Sequence, residues 1–172
     1  MDNCGRWPAL TKDDDALLKE LFAILTARVQ GNAYSSDGSF ATNLSVLPVG
    51  LRAMGATHWL DISLTLDSIT WHFGNFGEPG LVAETEKGLL VLGLQEIHTV
   101  FCEARDLMIP LLNRRTAADG DPYQILERMG LRERADEIDR RACALHDLAN
   151  GSPIYAAWIQ YAREHPERVY RT

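Results

Sequence analysis

Cysteine is scarce in this chain, and what there is lies badly spaced for chemistry. Cys4, Cys102 and Cys143 are odd in number and form no CxxC pair. That excludes a disulfide framework and fits a reducing cytoplasm. Long apolar runs are missing too: none approaches the ~20 residues that span a bilayer, so no membrane contact is expected. The first residues, MDNCGRWPAL, lack a basic start followed by an apolar stretch, and no secretion signal is read there. Bases are outnumbered, 17 against 24 acids, for a net charge of −7. Phosphate contacts need Lys and Arg, so direct binding of nucleic acid is not expected. The deficit is uneven. Residues 1–100 carry 12 acids and 6 bases, whereas residues 101–172 carry 12 and 11. An acidic first part suits a basic protein partner.

Catalytic signatures are absent as well. There is no Gly-x-Ser-x-Gly elbow, no His-Glu-x-x-His pair, no dinucleotide fingerprint and no Walker loop. No cofactor is expected. His58 and Asp61 stand three apart, and His146 has acidic neighbours. Two ligands do not make a zinc or iron site, so no metal is expected. Cys102 and Cys143 lie on apolar helix faces and read as small buried hydrophobes.

What is present is a strong helical pattern. Trp59, Ile62, Leu66, Ile69 and Phe73 recur at spacings of three and four, one face of a helix. Leu60, Ile62, Leu64 and Leu66 also alternate as a strand would, but the span from Thr57 to Phe73 holds no Gly or Pro. It is too long for an ordinary strand. A helix over 57–73 is expected, joined by the Gly-rich turn 74–80 to a second helix from Pro79 to Gly93. Gly88 inside that second helix either weakens it or lets another helix approach closely.

The rest reads in order. Residues 1–10 form a tail anchored by Trp7-Pro8, and 11–172 a single helical domain. A first helix is capped by Thr11, carries Asp13, Asp14 and Asp15 at its positive end, and stops at Gly31. The Asp triplet reads as capping and solvation, because consecutive residues point around a helix. Residues 31–43 form a polar loop, and a short helix runs from Pro48 to Gly55. A helix from Gln95 is kinked or broken near its end by Pro110, and residues 116–121 form a turn. Asp121-Pro122 opens a helix that Gly130 stops. Residues 131–150 make a long amphipathic helix, with Asp136–Arg140 and Glu137–Arg141 pairs on its outer face. Ser152-Pro153 opens the last helix, with Tyr155, Trp158 and Tyr161 on an aromatic surface and His165-Pro166 at its end. The fold class expected is all-α, a compact bundle of about six to eight helices.

Two stretches carry a family likeness. One runs from Leu66 to Ala104 and contains GEPGLVAETEKGLLVLGLQEIHTVFCEA; the other is ALHDLANGSPIYAAWIQYAREHPERVY. In that order they resemble a bacterial all-helical domain family of unknown function that includes a DNA-mimic protein. The shared features are an acidic helix entering a Gly/Asn-rich turn, Glu-Thr, a Leu-x-x-(Ile/Leu)-Gly helix end, and a Tyr-rich closing helix running into His-Pro. The family's Asn-Asn-Gly-Gly-Phe run is missing, and Ser68 to Phe73 stands in its place. The resemblance implies an α-fold. A mimic needs carboxylates in dense rows, and 17 bases with a net −7 fall short of that.

The function expected is a non-enzymatic, cytoplasmic interaction module, a regulator, inhibitor or immunity-type protein with an acidic face. Asp67, Trp71, His72, Asn75, Glu84 and Glu86 are its candidate contact residues. The alternative is a small hydrolase or metal-dependent enzyme using His72 with Asp61, Asp67 or Glu84 as acid and base. A third possibility is a homo-oligomer in which Trp158 and Tyr161 pack between copies.

Overall fold

Side-chain caps set where five of the ten α-helices among the described residues begin. The computed structural model describes residues 7–114 and 121–171. Every regular element there is helical, with ten α-helices rather than six to eight and no strand among the described residues. No helix there is long and apolar enough to cross a membrane. Cys4, the first residues of the expected tail and most of the expected turn 116–121 lie outside the described residues.

Helix α1 (Asp14–Arg28) is capped by Asp13, whose Oδ1 accepts from Ala16 N at 2.8 Å. Thr11, the expected cap, instead ends a 3-10 turn over Pro8–Leu10. The expected tail is docked from Trp7 onward: Trp7 stacks on Tyr170 at 5.7 Å and Ala9 is buried. Leu17, Leu21 and Leu25, each four apart, form the buried stripe of α1. Part of the expected loop 31–43 is helix α2 (Ser39–Ser45). Its start is set by Gly38 in the left-handed region (φ +74) and by Asp37, whose Oδ1 accepts from Ser39 N at 2.9 Å.

The central stretch divides differently from the expectation. Helix α3 (Val49–Leu66) runs straight through Gly55, fusing two expected elements. Gly55 is there for packing: a Cβ on it would stand 2.7 Å from Leu44 Cδ2 of α2. The chain breaks at Asp67 and restarts as α4 (Ile69–Phe76), whose cap Ser68 Oγ accepts from Trp71 N at 3.1 Å. The helix expected over 57–73 is therefore two helices, because a serine cap can start a new helix without Gly or Pro. The expected Gly-rich turn shrinks to Gly77 and Glu78, since Gly74 and Asn75 remain helical. Helix α5 (Pro79–Val91) opens on proline, with the Glu78 carboxylate accepting from Gly80 N at 2.8 Å and Leu81 N at 2.7 Å.

Helices α3 and α5 make the tight central pair. A Cβ on Gly88 would lie 3.1 Å from Ala53 O and 3.2 Å from Ala53 Cα, so the glycine is a point of close backbone approach. Thr85 Oγ1 of α5 donates to Leu81 O at 2.9 Å and reaches Ala56 O of α3 at 3.3 Å. Gly88→Val is expected to lower stability by about 1–3 kcal/mol, the range for overpacking. Urea unfolding measures it; a variant as stable as the parent would mean the two helices stand further apart.

Gly93, with φ +74, turns the chain into α6 (Gln95–Leu112), and Pro110 sits in its last turn, two residues from the end. Helix α7 (Pro122–Arg128) is capped by Asp121, as its sequence indicates. Helix α8 (Arg132–Leu145) ends earlier than expected, at the His146 cap, and a 3-10 turn (Leu148–Asn150) follows. The expected pairs on α8 are replaced by Arg132–Asp136 at 2.9 Å and Glu137–Arg140 at 2.6 Å. Arg141 reaches across to Glu103 of α6 at 2.7 and 2.8 Å. Helix α9 (Pro153–Glu164) and the short α10 (Glu167–Tyr170) close the chain.

Trp158 and Tyr161 of α9 are buried within this chain, so they are not a surface between copies. Trp158 joins Leu17, Leu51, Leu60, Phe73 and Phe101 in the main core. Phe40, Leu44, Phe76 and Leu81 form a second, smaller cluster. Cys102 is half-buried, but Cys143 is exposed, against expectation.

Candidate functional site

The residues singled out from the sequence do not converge. His72 of α4 is fully buried, with ring contacts to Phe73, Phe76 and Phe101 at 5.5, 5.3 and 5.9 Å. Ser63 Oγ donates to Trp59 O at 2.8 Å and lies 2.9 Å from His72 Nδ1, which assigns Nδ1–H as the donor in that contact. The Nε2 atom is left buried without a partner. Burial pushes the imidazole pKa down to about 3, against a weaker upward pull from the Trp59 carbonyl. A neutral ring sealed from solvent does not meet a substrate.

The other candidates are scattered, from exposed Asp67 to buried Glu84, and each has a partner. Trp71 is half-buried with its ring against Phe76, and Asn75 Nδ2 donates to Trp71 O at 3.1 Å. Asp67 accepts from Tyr123 OH at 3.1 Å. Glu84 is held by Arg52 through two short bonds and approached by Lys87 Nζ at 3.4 Å. Burial works to raise the Glu84 carboxyl pKa, but the Arg52 bonds and charge, with Lys87, outweigh it and hold the group low. Glu86 faces a different groove and is bonded to Arg105.

Asp61 is the centre of a buried polar cluster that sequence reasoning only half found. Its Oδ1 receives His146 Nε2 at 2.8 Å and a very short bond from Ser152 Oγ. Ser152 also caps α9 by accepting from Tyr155 N at 3.1 Å, and Tyr155 OH lies 3.0 Å from His58 Nδ1. Burial lowers the His58 pKa, with Asp61 opposing, and burial with the Asp61 charge raises that of Tyr155. The residue types are those of a serine hydrolase, but the order is wrong. The carboxylate stands between serine and histidine, so the imidazole is not placed to take the hydroxyl proton. The cluster instead ties α3 to the end of α8 and the start of α9.

An open site lies nearby. A groove of about 550 Å³ runs between the start of α1 and α9. Leu18, Tyr155, Ala156 and Ile159 form its apolar floor, and Asp14, Asp15, Glu164 and Arg163 edge it. Among the described residues that line it the one guanidinium, Arg163, is already bonded to Asp14 and to Lys12 O at 3.2 Å. Three carboxylates against one paired base leave the edge acidic. Asp14 and Asp15 carry a signal in sequence, the Asp triplet, but their partner edge at Glu164 lies at the far end of the chain.

No protein-family model, no curated protein and no solved structure matches this chain.

Proposed function

We propose that the chain is a cytoplasmic, non-enzymatic interaction module of the regulator, inhibitor or immunity type, and that it takes a basic amphipathic segment of a protein partner along the α1–α9 groove. One observation carries this: an apolar floor of Leu18, Tyr155 and Ile159 edged by Asp14, Asp15 and Glu164. An amphipathic helix lays its apolar side into such a groove, and Lys or Arg along its flanks meets the carboxylates. The uneven acidity of residues 1–100 points the same way, toward a basic surface. The alternative enzyme centred on His72 lacks an accessible ring. The acidic edge also argues against a nucleic acid ligand.

Fluorescence anisotropy with two short amphipathic peptides, one Lys/Leu and one Glu/Leu, tests the reading. The Lys/Leu peptide should bind, and more weakly as salt rises. Reversing Asp15 and Glu164 together to Lys should weaken it by about tenfold or more, the scale of 1.4 kcal/mol. Both side chains are exposed, so the fold should survive the change. Equal binding of the two peptides, or indifference to the reversal, would overturn the proposal.

A further inference from the structure

The turn at Gly93 folds α6 back on α5 and assembles a cluster that neither helix holds alone. His98 and Cys102, four apart, share one face of α6, and Glu86 of α5 comes to meet them. Cys102 Sγ lies 3.5 Å from His98 Nε2, and His98 Nε2 lies 3.8 Å from Glu86 Oε1. All three donor atoms fall within 4.8 Å of one another. We propose that Glu86, His98 and Cys102 form a binding site for a divalent transition-metal ion of the zinc class.

Two of the three donor separations can be set against a coordination shell, and the third, from Cys102 Sγ to Glu86, is within 4.8 Å. With ordinary zinc bond lengths, the edge of a tetrahedron is about 3.6 Å between S and N and about 3.3 Å between N and O. The observed S–N separation already fits, and the N–O pair needs to close by a fraction of an ångström. On binding, Cys102 releases its thiol proton to solvent, and the donors are then a thiolate, an imidazole and a carboxylate, a borderline-soft set that selects zinc-like ions over calcium or magnesium. Three protein ligands leave a fourth position for water or for a group from a partner.

The surroundings support the set. Arg105 Nη1 donates to Glu86 Oε2, which fixes the carboxylate and leaves Oε1 turned to His98. Outer hydrogen bonds of this kind orient ligands in metal sites. Arg105 also adds a positive charge, but Asp106 accepts from its Nε and Nη2 at 2.9 Å. A dication, a thiolate, two carboxylates and a guanidinium then sum to zero. His98 and Glu86 keep 21% and 32% side-chain exposure, so an ion can reach them.

The test uses tag-free, full-length protein, reduced and stripped with a chelator, then titrated with cobalt(II). One equivalent should bind with a thiolate-to-cobalt charge-transfer absorption, and zinc(II) should abolish it. Cys102→Ser should remove that band, and His98→Gln should weaken binding by more than about tenfold, the effect expected from losing even an outer partner of a ligand. Cys143→Ser, on the exposed face of α8, should change neither. No stoichiometric cobalt binding, or a charge-transfer band that survives Cys102→Ser, would overturn the assignment.

Discussion

Trp158→Ala is expected to lower the unfolding free energy by about 4 kcal/mol, the middle of the range for deleting a buried aromatic. Trp158 is fully buried at the meeting of α1, α3 and α9. Its ring centroid lies 5.4 Å from Phe22 and 4.9 Å from Tyr155. Its Nε1–H donates to Thr57 Oγ1 at 3.0 Å, and that hydroxyl passes its own hydrogen to Ala53 O at 2.9 Å. Truncation would open a cavity there and remove an interhelical donor to Thr57. Trp158→Phe keeps most of the apolar volume and should cost about 1–2 kcal/mol, mainly the lost hydrogen bond. Urea unfolding of the two variants measures both. An Ala variant within about 1 kcal/mol of the parent would show that α9 does not close this core.

Acid should destabilise the protein well above the carboxylate range, and His72 is the reason. Its folded pKa, pushed down to about 3 by burial, lies far below the ordinary histidine value. Between roughly pH 6.5 and 3 the unfolded chain binds a proton there that the folded chain refuses. Stability from this group is fully present above about pH 6.5 and falls by about 1.4 kcal/mol for each pH unit below it. From pH 7 to 5 the expected loss is about 2 kcal/mol. His58, also lowered by burial, adds in the same direction, and Glu84, held low by Arg52, adds as the pH falls further. Asp139, raised by burial, opposes them. His72→Phe isolates the one term, because the new ring sits among Phe73, Phe76 and Phe101 and does not titrate. The variant should lose about 2 kcal/mol less than the parent between pH 7 and 5. An identical loss in both would mean that His72 takes up its proton in the folded state.

Legibility followed the range of each interaction. Caps at Glu78-Pro79, Asp121-Pro122 and Ser152-Pro153 act within three residues, and those helix starts were readable from sequence. Ser68 is as local, yet its apolar flanks continued the helical period on both sides and hid the break. Gly55 and Gly74 looked like stops, but both are helix interior. At Gly55 it is tertiary contact with Leu44 that requires the missing side chain. The Asp run has the look of first-turn charge behind a Thr11 cap, but Asp13 does the capping. The site residues were harder. Asp61 and His146 are 85 positions apart, and Asp14 and Arg163 are 149 apart. Only the docking of the end of α8 on α3, and of α9 on α1, brings these pairs together. Glu86 and His98 are closer in sequence, but their meeting depends on how tightly Gly93 turns the chain.

The proposed groove can be mapped residue by residue. Backbone amide resonances of the full chain, followed by NMR while the Lys/Leu peptide is added, test its position most directly. The largest shifts should fall on Asp15, Leu18, Ile159 and Glu164, and fade as salt is raised. Shifts centred instead on Asp67, Glu84 or Glu86, or none at all while the peptide binds, would contradict the account.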